Sequence, residues 1–314
     1  MTSTDGRVHT FYAEGTRFLF EDPDFSVARD CVPGQPYEPT VTSLLSDALQ
    51  APGAVFADIG ALYGYFSCWA GKHVPTVPIF AFEPEQAWTA VMTRNIALNG
   101  VQVSIEQIAL TDTNGPVSFH DRTVEPVGPQ AKFVRNYPRA SINWLKNSLN
   151  ADPARQVTSG HTDPAFSGWE VIRRTRQVAS AKKRRPPAVD STHSVDGMTL
   201  DSWVLGRTTL PTVLKIDVHG GEGLVLRGAQ QSMEKVQDIL LELHTPDYLV
   251  DTNYEEILGL LMDANFSLFE LRGFRRRQGK LIELDSQRRR ALCDIRTWTP
   301  EDLYYMRFLY ATRR

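Results

Sequence analysis

The side chains best suited to chemistry fall in three short apolar stretches. The first, "VFADIGALYGYFSCWAG" (Val55–Gly71), sets Asp58, Gly60 and Gly64 between a strand-like run and an apolar helix. Glycine has no Cβ and permits tight turns and close ligand approach, so backbone would pass a nucleotide-bearing cofactor here. Glu83 stands 19 residues after Gly64, near the ~20 expected of an acid that hydrogen-bonds the ribose of a bound nucleoside. Such an acid suits a free diol rather than a phosphorylated ribose. The second stretch, "TVLKIDV" (Thr212–Val218), carries Lys215 and Asp217 and runs into His219; the third, "DILLELH" (Asp238–His244), ends in Glu242 and His244. If strand geometry persists, the period of two puts Asp217 with His219 on one face, and Glu242 with His244. Four such groups make either a base with its orienting partner or a carboxylate and imidazole metal site. The spacing is no dedicated metal motif, so the expectation is a metal-free base, His219 or His244, with Asp217, His219, Glu242 and His244 as the set a metal would use. A strand-end hydrogen bond would account for either histidine alone as well, and Lys215 could serve as a salt-bridge partner at the core edge.

The elements that must position these groups alternate. After Pro52-Gly53 the pattern predicts strand Val55–Ile59, helix about Tyr65–His73, strand Pro78–Phe82, helix about Gln86–Leu98 and strand Val101–Ala109. The second helix puts Trp88, Val91, Met92 and Ile96 on one face, which reads as core, and Asn99-Gly100 ends it. Alternation resumes with strand Thr212–Val218, helix Gly221–Val236, strand Asp238–His244, helix Tyr254–Ala264, strand Phe266–Leu271 and a terminal strand near Leu303–Leu309. Right-handed β-α-β crossovers then build a doubly wound α/β domain over residues 51–314, with residues 1–50 as a lead-in to the same domain. Between about 114 and 193 the periodicity gives way to polar sequence too long for an ordinary loop, and the region reads as an insertion.

Bulk properties narrow the partners. At 314 residues and 42% hydrophobic content the chain can bury a substantial core. No run approaches the ~20 apolar residues that span a bilayer, and "MTSTDGRVHTFYAEG" lacks a secretory apolar region, so the expectation is a cytoplasmic protein without a membrane partner. Cys31, Cys68 and Cys293 are widely spaced and odd in number, which suggests neither a disulfide framework nor a zinc ribbon. A net charge of -3 argues against a nucleic-acid footprint. Seven basic residues between Val171 and Val189 (Arg173, Arg174, Arg176, Lys182, Lys183, Arg184, Arg185) have no acid among them. They read as a solvated loop or as a patch for an acidic or phosphorylated substrate. "RRRQGKLIELDSQRRR" (Arg275–Arg290) carries the same ambiguity.

A dinucleotide fold wants G-x-G-x-x-G, whereas this turn reads G-A-L-Y-G. That disfavours a nicotinamide-dependent oxidoreductase. "FADIGALYGYFS", "AFEPEQAWTAVMTRNIALNG", "QIALTD", "MTLDSW", "VLKIDVHGGEGLVLRGA" and "LLELH" resemble, in content and order, the FkbM family of S-adenosylmethionine-dependent methyltransferases. The likeness covers roughly Tyr37–His244 apart from the insertion. It implies a class I methyltransferase (Rossmann-like) fold, a doubly wound, mostly parallel seven-stranded sheet with helices on both faces. It also implies S-adenosyl-L-methionine as cofactor and a small-molecule acceptor with a hydroxyl, such as a sugar or polyketide-type metabolite. Carried over by residue, Asp58, Gly60, Ala61, Leu62, Tyr63 and Gly64 would cradle the aminocarboxylate end of the cofactor, with Glu83-Pro84 at the ribose. Gln107, Ile108, Ala109 and Leu110 would flank the adenine, Tyr37-Glu38 would precede the first strand, and Lys215 and Asp217 would lie beside the sulfonium. Leu62 stands where the family usually has Asn and His219 where it usually has Glu, which changes the acid-base inventory. O-methylation is the expected activity. N-methylation, an oxidoreductase and a catalytically silent cofactor-binding module are the alternatives.

Overall fold

The computed structural model describes residues 8–23, 27–28, 36–120, 123–126, 193–244, 246, 249–272, 279–294 and 307–314. The basic run 171–189, Cys31 and Arg275–Arg277 lie outside them. The lead-in opens with a hairpin, β1 (Val8–Ala13) and β2 (Thr16–Glu21), paired antiparallel. Its two-residue turn has both central residues at positive φ, Glu14 at 46° and Gly15 at 72°, the geometry that matches strand twist. Phe11, Phe18 and Phe20 alternate onto its buried face. Helix α1 (Pro39–Leu49) follows, with proline at the first turn, where the missing N–H costs nothing.

Next come β3 (Phe56–Ile59), α2 (Tyr65–His73), β4 (Ile79–Phe82), α3 (Gln86–Asn99) and β5 (Ser104–Glu106), the β-α-β-α-β half read from the sequence. The run Val101–Ala109 is not one strand, however. It breaks after Glu106, and β6 (Ala109–Leu110) joins a different sheet with β7 (Gly115–His120), β8 (Thr123–Pro126) and β9 (His193–Met198), in the order β6-β9-β7-β8. Both ends of the sequence read as an insertion are therefore strands.

The second half contains α4 (Leu200–Trp203), β10 (Val213–Ile216), α5 (Glu222–Arg227), β11 (Asp238–Leu243), α6 (Tyr254–Asp263), β12 (Ser267–Arg272), β13 (Lys280–Glu283), α7 (Ser286–Cys293) and β14 (Arg307–Thr312). The helix expected over Gly221–Val236 stops at Arg227, and a 3₁₀ turn at Ser232–Glu234 follows. A Cβ at Gly228 would sit 1.9 Å from the Thr111 carbonyl oxygen, so the chain turns where only glycine fits.

The main sheet has the order β13-β12-β14-β11-β10-β3-β4-β5. Strands β11, β10, β3, β4 and β5 run parallel, while β14 is antiparallel between β11 and β12. Seven of these strands match the expected sheet, and β13, hairpinned onto β12, adds an eighth. Each face carries its own core. Ile239, Leu241, Leu214 and Ile216 pack with Ile257, Leu258 and Leu261 of α6. Phe56, Val213, Leu240 and Phe308 pack on the other side with Val41, Leu45, Phe66, Trp69 and the hairpin phenylalanines. Burying one such large side chain contributes about 1.5–3 kcal/mol. Among the described residues no helix is long and apolar enough to cross a membrane.

Candidate active site

The chain leaves β3 toward β4 on one side and β10 toward β11 on the other, so the order reverses between β3 and β10, the place where such sheets bind ligands. A cleft opens there. Its walls come from Ile59, Gly60 and Leu62 after β3, Phe82, Glu83, Pro84 and Trp88 after β4, Ile108, Ala109 and Leu110 beside β6, and Asp217, Val218 and His219 after β10.

Backbone geometry explains the glycine turn. Gly60 has φ 79°, and a Cβ there would lie 1.9 Å from the Asp217 carbonyl oxygen. Gly60 and Ala61 N–H groups both donate to the Phe82 carbonyl at 3.0 Å, which ties the turn to β4. Leu62 holds φ 51°, a left-handed conformation that Asn tolerates better than a branched apolar residue. Its N–H donates to Glu83 Oε2 and the Glu85 N–H to Glu83 Oε1, each at 3.0 Å. Burial pushes the Glu83 carboxyl up to about 8 even though these two N–H groups pull it down. Gly64 serves helix packing instead, since a Cβ there would sit 2.6 Å from Met92 Cγ and glycine lets α2 and α3 close together. The carboxamide of Asn95 donates to the Tyr63 carbonyl at 3.0 Å and bonds Glu21 N–H and C=O, clamping the hairpin and the turn at once.

Below the cleft lies a buried charge cluster. Lys215 is 3% exposed, with its Nζ 3.3 Å from Asp217 Oδ2 and 4.9 Å from the centre of the Phe66 ring. Burial alone would lower the Lys215 ammonium, but Asp217, Asp58, Glu38 and Glu242 around it raise it instead. Burial would raise Asp217, yet Lys215 and His219 hold it well below the usual carboxylate range. Asp58 faces Lys215 across the β3–β10 register. Its Oδ2 accepts the Ser67 hydroxyl at 2.7 Å, so it braces the first turn of α2, and burial raises its carboxyl.

The histidines form a chain. His219 Nδ1 lies 2.9 Å from His244 Nε2, and His244 Nδ1 lies 2.7 Å from Glu222 Oε1. The Gly220 N–H also donates to that oxygen, and the Tyr254 hydroxyl donates to the His244 carbonyl. Glu222 is wholly buried and His244 is 3% exposed, whereas His219 reaches the cleft wall. Burial would lower His244, but Glu222, then Glu242 and Asp217, raise it to about 9. Asp217 and His219 do come together, but not through the two-residue period of a strand: β10 ends at Ile216, and His219 turns back at φ 54°.

Of the residues singled out from sequence, Gly60, Leu62, Glu83, Pro84, Ala109, Asp217 and His219 line the cleft. Asp58, Ala61, Tyr63, Gly64, Lys215, Glu38, Glu242 and His244 are buried or lie behind its walls. Gln107 is exposed outside the cleft, while Ile108 and Leu110, expected beside it, line the cleft. Trp88, read as core, is a cleft residue at the first turn of α3. Glu222 was not singled out at all. The residues from 55 to 275 match the family described as the methyltransferase FkbM domain.

The chain belongs to the FkbM methyltransferase family. It is 26% identical over 238 residues to methyltransferase sdnD of Sordaria araneosa, covering 74% of this chain and 81% of that one. It is also 26% identical over 196 residues to AMB antimetabolite synthetase AmbE of Pseudomonas aeruginosa, 62% of this chain but only 8% of that synthetase. A solved structure of M. jannaschii TYW2 in complex with AdoMet aligns over 97% of this chain and 85% of that one, with 8% identity and a TM-score of 0.37. This FkbM methyltransferase uses S-adenosylmethionine, and the cleft fits that donor. Apolar walls at Phe82, Trp88, Ile108 and Leu110 suit an adenine, a buried acid at Glu83 suits a diol, and Asp217 Oδ1, buried with no hydrogen-bond partner, suits a positive neighbour.

Proposed function

We propose that this methyltransferase transfers its methyl group to a hydroxyl oxygen of a small acceptor such as a sugar or a polyketide-type metabolite. The observation that carries the reading is the chain His219, His244, Glu222, which begins at the cleft wall and ends on a wholly buried carboxylate. S-adenosylmethionine supplies an already activated methyl, so the protein must align an oxygen with it and accept the hydroxyl proton. Once His244, raised to about 9, has lost its second proton, Glu222 fixes it with the remaining one on Nδ1. His244 Nε2 then accepts from His219 Nδ1–H, which leaves His219 Nε2 as the nitrogen that takes the acceptor's proton. Glu83 would hold the ribose hydroxyls and Asp217 would lie beside the positive sulfur, while Gly60 lets the turn pass the Asp217 carbonyl. A cytoplasmic setting fits the free, buried thiol of Cys68.

The test is transfer from S-adenosylmethionine carrying a ¹³C-labelled methyl to panels of hydroxyl and amine acceptors, read by NMR. A methoxy carbon in the product supports the reading. An N-methyl carbon as the sole product overturns it.

A further inference from the structure

We infer that Asp217, His219 and His244 bind one divalent first-row transition metal ion at the floor of the cleft. The inference rests on the proposed active site and changes one part of it: an ion between His219 Nδ1 and His244 Nε2 replaces the hydrogen bond that joins them. One ligand atom from each of these residues lies within 4.8 Å of the other two. The two imidazole nitrogens that face each other are 2.9 Å apart. Metal–nitrogen bonds of about 2.0–2.1 Å place two cis ligands about 2.9 to 3.4 Å apart, from octahedral to tetrahedral angles. The spacing thus needs little movement to accept an ion.

Three further features support it. His244 donates Nδ1–H to Glu222 Oε1 at 2.7 Å, the carboxylate–histidine arrangement that turns the Nε2 lone pair of a ligating ring toward its metal. Asp217 Oδ1 is buried and has no hydrogen-bond partner, so a carboxylate oxygen is available at the same place. Charge also favours it: Glu38, Asp58, Asp217 and Glu242 act on Lys215, and Glu222, Glu242 and Asp217 on His244, five carboxyl groups around two basic ones. Two imidazoles and one carboxylate suit zinc, iron, cobalt or nickel better than magnesium or calcium, which prefer all-oxygen sites. Asp217 and His219 line the cleft, so remaining coordination positions would face an acceptor hydroxyl and ease loss of its proton.

The full chain, stripped with a chelator, is titrated with Co²⁺ and followed by calorimetry and visible absorption, with Mg²⁺ as the contrast. One Co²⁺ per chain with a visible band, and no comparable Mg²⁺ binding, is expected. Glu222→Gln should weaken cobalt binding about 10- to 100-fold through loss of the orienting bond, and His219→Gln and His244→Ala should remove the band. His219 is the least buried of the three histidine-chain residues, so His219→Gln keeps the test informative if His244→Ala does not fold. Melting temperature and S-adenosylhomocysteine binding check each variant. Absence of stoichiometric cobalt binding, or a band that persists in His219→Gln, overturns the inference. Full methyl transfer by the stripped chain also overturns it and leaves His219 as the base. Cobalt bound as expected in a chain that methylates no hydroxyl sustains the metal site and overturns O-methylation instead.

Discussion

Replacing Glu83 by Ala should weaken binding of S-adenosylhomocysteine about 10- to 150-fold. The side chain is 3% exposed and takes the Leu62 and Glu85 N–H groups on its two oxygens, which leaves the second lone pair of each for a ribose hydroxyl. Hydrogen bonds to an ionised group contribute about 1.5–3 kcal/mol, which converts to that range of dissociation constants. Titration provides a second signature. Burial raises the carboxyl to about 8, and a diol is held better by the carboxylate, so binding in neutral buffer must expel a proton. Wild-type affinity should therefore climb about tenfold per pH unit below that value and level off above it, while Glu83→Gln stays flat. The folding linkage has the opposite sign. A carboxyl raised from 4.5 to about 8 by folding stabilises the folded chain at low pH, and that contribution is lost as pH rises through about 8. Calorimetric titration over this range, paired with melting temperatures of both chains, reads both effects. Unchanged affinity in Glu83→Ala, or parallel pH profiles for wild type and Glu83→Gln, would refute the assignment of Glu83 to the ribose.

Three other outcomes follow from the geometry. His219→Ala should lower turnover about 10²- to 10⁴-fold while leaving cofactor affinity within error; normal turnover would remove His219 from the proton path. Gly60→Ala should cost at least about 1–3 kcal/mol of stability in denaturant unfolding, because its Cβ would meet the Asp217 carbonyl oxygen at 1.9 Å; a wild-type midpoint would show that the turn relaxes freely. Trp88→Ala should weaken S-adenosylhomocysteine by about 1–3 kcal/mol, the scale of an aromatic stack on a base, with little change in melting temperature because the side chain is only half-buried.

Most of the parallel half-sheets were legible because buried strands read as short apolar runs and their helices as amphipathic ones. The β3, β4 and β10 strands and the acid after β4 emerged from Val55–Ile59, Pro78–Phe82, Thr212–Val218 and Glu83. What failed depended on contacts distant in sequence. Trp88 shares a helix face with Val91 and Met92, so periodicity made it core; that the first turn of α3 opens on the cleft is a property of the sheet's end. Asp58 and Gly64, singled out for the cofactor, also serve the packing of α2 through Ser67 and Met92, which no local pattern announced. Glu222 sits in a Gly-rich turn where nothing local marks it as the partner of a histidine 22 residues later. Thr111, just after β6, lies against Gly228, just after α5, a contact that only the fold makes.

The most direct test of the account is a crystal structure of the full chain with S-adenosylhomocysteine. The account predicts the ribose diol on Glu83, the adenine between Trp88 and Ile108, and the sulfur beside Asp217 and His219 at the β3–β10 switch point. A cofactor product bound elsewhere, or bound there with its sulfur turned away from Asp217 and His219, would contradict it.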